Sequence, residues 1–294
     1  MNRRLQLGGR QVDLSTPIVM GILNVTPDSF SDGARFAAAG PRADFRIDTQ
    51  RVLAAARTMV EEGAAIIDVG GESTRPGAEP VSLQEELERV IPVVEAISSE
   101  LDVAISVDTS SPAVMRAAAA AGAVMVNDIR ALQRDGALAA VLSTGMGVCL
   151  MHMQGEPQTM QQQCHYGDVV QDVLAFLRQR VDLVTRAGVS RDRLLVDPGF
   201  GFGKTLEHNY RLLAGLARLD ELGLPVLVGI SRKSMIGQVV ERPVNDRLAG
   251  SIAAATLALE RGASILRSHD VAATRDAIRV HCALQKNHQN HRGV

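Results

Sequence analysis

At 294 residues, with a formal net charge of −2 and a pI near 6.4, the chain gives no electrostatic case for binding nucleic acid or an anionic membrane surface, so any phosphate site must be a local cluster of cations. No apolar run approaches the ~20 residues that span a bilayer, and the first residues lack the apolar stretch of a secretory signal. Cys149, Cys164 and Cys282 are odd in number and form no CxxC pair, which favours ordinary thiols in a reducing, cytoplasmic setting over a structural zinc site.

In chain order, two alternating segments, 5–7 and 11–14, flank Gly8-Gly9-Arg10 and predict a β-hairpin over about 4–15 that could plug the base of a larger fold. Eight apolar runs follow, at 18–24, 65–68, 104–108, 124–128, 148–152, 194–197, 225–229 and 265–269, each trailed by a helical stretch. Short continuous apolar runs suit strands buried on both faces, and their alternation with helices predicts a parallel sheet. Eight such units predict a single-domain α/β fold, a closed (β/α)8 TIM barrel over 1–294, with its active site at the carboxyl ends of the strands. Those ends carry Asn24, Asp68, Asp108, Asn127, Asp197, Arg267 and His269.

Among the helices, Val170, Val173, Leu174, Leu177, Val181 and Val184 form the clearest stripe. The Ala-rich, Gly-rich and Ser-rich segment 248–259 is expected to lie close to the sheet and to carry no chemistry. The connections 26–48 and 70–82 exceed the usual two to six residues and are expected to act as lids or binding loops. The polar tail, about 286–294, is expected to fray, with His281, His288 and His291 solvated.

Two constellations carry chemistry. Asp108, Asn127 and Asp197 end three strands and present acceptors and an amide that could face paired N–H groups of a flat heterocycle, although each could instead cap a helix. Asp68, followed by glycines, is expected to orient loop groups. The segment 197–205, Asp-Pro-Gly-Phe-Gly-Phe-Gly-Lys-Thr, is neither a Walker A loop, since Pro198 stands where its first glycine belongs, nor a dinucleotide fingerprint, since Lys204 replaces the third glycine. The cations form the second group: Arg75, Lys233, and Arg267 with His269, which share one side of a strand and with Asn24 could surround a diphosphate.

Several ordered segments together resemble the dihydropteroate synthase family of pterin-binding barrels. They are 22–33 (Ile-Leu-Asn-Val-Thr-Pro-Asp-Ser-Phe-Ser-Asp-Gly), 67–77 (Ile-Asp-Val-Gly-Gly-Glu-Ser-Thr-Arg-Pro-Gly), Val126-Asn-Asp128, 151–155, 197–205, 231–234 and 267–270. The resemblance implies a transferase that condenses 6-hydroxymethyl-7,8-dihydropterin diphosphate with 4-aminobenzoate. It implies that Asp108, Asn127, Asp197 and Lys233 hydrogen-bond the pterin, that Ile129, Met151, Phe202 and Gly229 shape its slot, and that Arg267 stacks on it. It further implies a diphosphate site of Asn24, Thr74, Arg75, Arg267 and His269 with Mg²⁺ beside Asn24. Phe30, Pro76 and Ser234 would hold the aminobenzoate, Asp32 would steady the developing cation, and the protein would be a sulfonamide target and a homodimer. Ala34 for glycine, a lengthened loop at 37–45 and Ser268 for valine depart from the family pattern. The competing readings are a pterin-dependent methyltransferase, which would not need the diphosphate cluster, and a catalytically silent pterin-binding paralogue.

Overall fold

Runs that are apolar on both faces have to be covered on both, and a ring of parallel strands wrapped in helices does this. The computed structural model describes residues 4–26, 47–72, 81–157, 159–161 and 164–291. The hairpin β1 (Arg4–Leu7) and β2 (Arg10–Asp13) precedes eight parallel strands: β3 (Ile18–Asn24), β4 (Ala64–Gly70), β5 (Ala104–Asp108), β6 (Met125–Asp128), β7 (Gly147–Met151), β8 (Leu194–Asp197), β9 (Leu227–Val228) and β10 (Ile265–Ser268). They pair in the order β8-β7-β6-β5-β4-β3-β10-β9. The ring is drawn shut by a parallel bridge between Val196 and Val226, with Val196 N donating to Pro225 O at 3.0 Å. The strand at 225–229 is shorter than its apolar run because Pro225 has no N–H to give and the chain turns after Gly229, where Lys233 N bonds Ile230 O.

The connecting helices are α1 (Thr49–Glu62), α2 (Leu83–Glu100), α3 (Pro112–Ala121), α4 (Ala137–Thr144), α5 (Val169–Arg186), α6 (Leu206–Ala214), α7 (Ser234–Val240), α8 (Leu248–Leu259) and α9 (Val271–His291). Their starts are local: Asp48 caps α1, Ser82 and Glu85 form a capping box on α2, and Asp168 caps α5. On α5 the buried stripe is Val169, Val173, Leu174, Leu177, Val181 and Val184, so Val169 takes the place expected of Val170, which packs at its edge. Helix α9 runs to His291, into the segment expected to fray, and His281 bonds Glu260 at 2.8 Å and is not solvated. No helix among the described residues is long and apolar enough to cross a membrane.

Strand alternation builds the barrel interior in layers. The lowest is apolar and takes one residue from each strand: Met20, Ile66, Ala104, Met125, Cys149, Leu195, Leu227 and Ile265. Leu5, Leu7 and Leu14 of the hairpin pack against it and plug the base, as the sequence predicts. Gly147 makes room for the plug, since a Cβ there would lie 2.3 Å from Leu7 Cδ2. Two residues further along each strand the layer turns polar, with Asp68, Ser106, Asn127, Asp197 and Arg267 beside Ile22, Met151 and Gly229. The helices hold a second core outside the ring, formed by the outward side chains such as Leu23, Val69, Val107, Leu150 and Val196. All three cysteines are free thiols, and burial pushes Cys149 well above its ordinary pKa, so it is packing material and not a nucleophile.

Candidate active site

The polar layer is tied together by Arg267. Its Nε donates to Asp68 Oδ2 at 2.6 Å and its Nη2 to Asp108 Oδ2 at 2.9 Å, while Asn127 Nδ2 donates to the same Asp68 oxygen at 3.0 Å. Asp68 is fully buried, and among the described residues it holds two barrel side chains, Arg267 and Asn127; the segment 73–80 of the loop it is expected to orient lies outside them. Asp108 caps no helix: the N-cap position of α3 is Ser111, and Thr109 Oγ1 accepts its N–H. Asn127, its amide donor engaged by Asp68, keeps Oδ1 as an acceptor with no partner among the described residues.

The floor of the site is opened by glycine. A Cβ at Gly229 would meet only the Cβ and Cδ of Arg267 and Lys233 Nζ, at 3.8 to 4.0 Å, so the space above it is bounded by two cations. Lys233 Nζ lies 4.6 Å from the centroid of the Phe202 ring and donates to Phe200 O. At Gly199, φ is +71° and a Cβ would lie 1.9 Å from His152 O, so only glycine permits the turn that buries Phe200 in the outer core and brings Phe202 to Lys233. Asp197 Oδ1 accepts from Gly199 N at 2.7 Å, so one carboxylate oxygen steadies this turn.

Burial sets the electrostatics. It raises Asp108 to about 7 against the pull of Arg267, with Asp68 and Asp128 adding to the rise. It raises Asp197 against Lys233, and it lowers Lys233 to about 8 in spite of Asp197. Burial works against the Arg267 charge as well, but Asp68 and Asp108 outweigh it and hold the guanidinium above its ordinary value.

Sequence reasoning missed three supports. Lys204, 3% exposed, donates to Gly199 O at 2.8 Å and Phe202 O at 3.0 Å and meets His152 Nδ1 at 3.0 Å, so it staples the glycine-rich turn from behind. Burial pulls this lysine down to about 7 and His152 far below the usual imidazole range. Ser231 contacts His269 twice, through Nδ1 at 3.1 Å and the backbone N–H at 3.2 Å, and so aims its ring. Helix α8 is not silent either: Ser251 Oγ accepts from Arg232 N at 2.9 Å, fixing the residue beside Lys233 in a left-handed conformation with φ 58°. A lysine inside a glycine run was the available signal for Lys204; the serine contacts had none.

The structure thus brings Asp108, Asn127, Asp197, Phe202, Gly229, Lys233 and Arg267 to one mouth. Asn24 belongs with them: a Cβ at Gly70 would lie 3.2 Å from Asn24 Oδ1 and 3.6 Å from Asp108 Cβ. Met151 is buried at the end of β7, and Ser234 is the exposed first residue of α7, directly after Lys233. Ile129, buried after β6, lines a neighbouring cavity of ≈ 450 Å³ with Arg130, Met153 and Phe176. Phe30, Asp32, Thr74, Arg75 and Pro76, with the altered loop at Ala34 and 37–45, lie outside the described residues.

Ser268 faces away from the mouth, as strand alternation predicts. Its hydroxyl meets Thr274 Oγ1 at 2.8 Å, accepts from Asp270 N at 3.1 Å, and lies 3.4 Å from Ser231 Oγ. Valine at this position is expected to lose these contacts and destabilise the fold by about 1 kcal/mol in denaturant titration, while kcat/KM stays within about twofold. A tenfold change in kcat/KM would mean that the hydroxyl chain through Ser231 reaches His269 and the chemistry.

The chain matches the model of the pterin binding enzyme family over residues 20–269. It is 53% identical over 272 residues to the dihydropteroate synthase of Escherichia coli, covering 92% of this chain and 93% of that one. With the Haemophilus influenzae dihydropteroate synthase the identity is 52% over 277 residues, with 94% and 97% covered. Among solved structures, Yersinia pestis dihydropteroate synthase in a sulfonamide drug complex superposes with a TM-score of 0.91 at 49% identity, covering 96% of this chain and 99% of that one. The Xanthomonas albilineans dihydropteroate synthase in complex with 7,8-dihydropteroate gives 0.82 at 44%, covering 97% and 99%. Motif order, a closed eight-stranded barrel, acceptors and cations gathered at one mouth, and near-complete alignment agree that the chain belongs to the pterin binding enzyme family, among its dihydropteroate synthases.

Proposed function

We propose that this mouth condenses 6-hydroxymethyl-7,8-dihydropterin diphosphate with 4-aminobenzoate to give 7,8-dihydropteroate and diphosphate, and that it does so without an enzymic nucleophile. The observation that carries this division of labour is the placement of acceptors and cations around one glycine floor. Asp108, the free Oδ1 of Asn127 and Asp197 supply oxygen acceptors for the pterin's N–H edge. Gly229 leaves room for the flat ring, with Met151 and Phe202 at its sides and Lys233 donating to it. Arg267, held edge-on by two carboxylates, offers a planar cation for stacking.

Departure of diphosphate leaves a cation at the pterin's exocyclic carbon, delocalised into the ring, and the arylamine of 4-aminobenzoate attacks that carbon and then loses a proton. Arg267 and His269, with Arg75 and Thr74 by resemblance, stabilise the charge that builds on the leaving group. Asn24, whose Oδ1 is a hard oxygen beside Gly70 and Asp108, would hold Mg²⁺ against the diphosphate, and the described residues contain no group of three His, Cys, Asp or Glu able to hold a resident metal. That donor set fits Mg²⁺, which takes few protein oxygens and completes its shell with phosphates and water; when bound it would neutralise charge on the departing diphosphate. Phe30, Pro76 and Ser234 hold the second substrate and Asp32 steadies the cation in this reading. Purified protein given both substrates and Mg²⁺ should form 7,8-dihydropteroate on chromatography, and formation of free pterin alcohol with no pteroate would overturn the assignment.

The homodimer is likewise a proposal, supported by exposed apolar side chains on two adjacent helices. From 248 to 259 helix α8 has no charged residue, Leu248 and Leu257 are 43% and 46% exposed, and on the adjacent α9 Val280 and Leu284 are 70% and 49% exposed. A second copy covering this face accounts for all four. Light scattering should give twice the mass of 31.4 kDa, and Leu257→Glu with Val280→Glu should halve it without loss of helix. Dimer persistence in that variant would move the interface elsewhere.

A further inference from the structure

Asp68 stands in the second interior layer, one pleat above the apolar ring, with no exposure at all. A carboxylate there is costly, and the polar atoms around it are poorly provided for. Among the described residues Asp68 Oδ1, Ser106 Oγ and Asn127 Oδ1 have no hydrogen-bond partner, although strand register places Asp68 beside Ser106 and Asn127 donates to Asp68. Buried ion pairs are weak sources of stability, and apolar residues of similar volume do as well or better. Stability therefore does not account for Asp68.

Its effect on Arg267 does. The guanidinium can close a two-pronged fork onto a single carboxylate, which is its preferred arrangement. In this site that fork is split between two carboxylates: Nε donates to Asp68 at 2.6 Å and Nη2 to Asp108 at 2.9 Å, so each receives a single prong. Without the Asp68 charge, Asp108 would be the remaining carboxylate in direct contact with Arg267. The guanidinium would turn to fork it, withdrawing both oxygens from any ligand and tilting its own plane out of the slot.

We propose that Asp68 is a positioning residue for this reaction: by anchoring the Nε edge of Arg267 below the slot, it keeps the guanidinium from closing on Asp108 and leaves that carboxylate free to accept from the pterin. The inference rests on the assignment of Asp108 and Arg267 to the pterin site.

A double-mutant cycle read by calorimetry tests it, with 7,8-dihydropterin lacking the diphosphate as the probe and denaturant titration alongside. Asp68→Asn keeps the shape and still accepts from Asn127 but removes the charge, and should weaken binding at least about thirtyfold, while the denaturant titration reads separately what the loss of one partner of a buried ion pair does to the fold. In an Arg267→Met background the same step should change binding less than about threefold, because no guanidinium remains to capture Asp108. Thirtyfold losses in both backgrounds would make Asp68 a purely structural residue, and small changes in both would remove any role. If Asp68→Asn alone does not fold, the comparison of Arg267→Met with Asp68→Asn/Arg267→Met still decides, since both charges leave together: a tenfold loss overturns the proposal. Failure of the unmodified protein to bind dihydropterin would instead strike at the functional reading, whereas binding with an additive cycle would strike at Asp68 alone.

Discussion

Asp197→Asn is expected to weaken pterin binding about a hundredfold while leaving the protein folded. Asp197 is 5% exposed, and its Oδ1 is already committed to Gly199 N at 2.7 Å. Asparagine can keep that bond through its carbonyl, but the other oxygen then becomes an amide donor facing ligand N–H groups. A charge-assisted bond is lost and two donors confront each other in a site shielded from water, which together come to about 3 kcal/mol, or roughly two decades in affinity. Lys233 and Lys204 also lose the nearby charge that favours their protonated forms. Calorimetry with 7,8-dihydropterin reads the affinity, and circular dichroism confirms the fold. A loss under about threefold would mean that Asp197 serves only the glycine-rich turn and that the ligand's N–H edge lies elsewhere.

The ring of strands was legible because burial on both faces writes itself into composition: three runs, 18–24, 104–108 and 194–197, coincide with strand limits. The hairpin plug was legible from alternation around a glycine pair. At 225–229 the apolar run overstates the strand, because hydrophobicity does not register that Pro225 lacks an N–H. The polar tail misled in the other direction, since a helix can continue on its own backbone hydrogen bonds after its apolar stripe has ended.

At the site, Asn24, Asp108, Asn127, Asp197 and Arg267, all named from sequence as strand ends, reached the same mouth, but the connections between them were hidden. Arg267 and Asp68 are 199 residues apart and meet only because the ring closes β10 onto β3 and β4. Asp68 carries the signal of period two, lying one pleat above Ile66, but the glycines after it drew attention to the loop. Nothing in a linear pattern distinguishes Ser231, which aims His269, from the serine three residues on. Local chemistry therefore announces the residues that face ligand, while those that aim them depend on which strands become neighbours.

Pterin binding is expected to follow a bell-shaped pH profile with its optimum between about 7 and about 8, set by Asp108 on the acid side and Lys233 on the alkaline side. Asp108 titrates near 7 because burial, aided by Asp68, Asp128 and Glu72, outweighs Arg267. Its folded value lies above the ordinary carboxylate value of 3.8, so between the two the folded protein holds a proton that the unfolded chain has released. Folding stability from this group therefore declines as pH rises through that window and is flat above about 7. The ligand's N–H groups require the carboxylate, so below about 7 each binding event must expel a proton, and affinity should fall by up to about tenfold per pH unit. On the other limb Lys233 is lowered to about 8 by burial, against Asp197, and loses the charge with which it donates to the pterin as pH rises beyond that value. Using 7,8-dihydropterin without its diphosphate keeps phosphate ionisation out of the profile, and calorimetry in buffers of different ionisation enthalpy counts the protons released. Asp108→Asn should bind more weakly at neutral pH yet lose the acid limb, and Lys233→Met should lose the alkaline one. An acid limb that survives Asp108→Asn would assign the titration to another group, with Asp197, which burial also raises, the first to test.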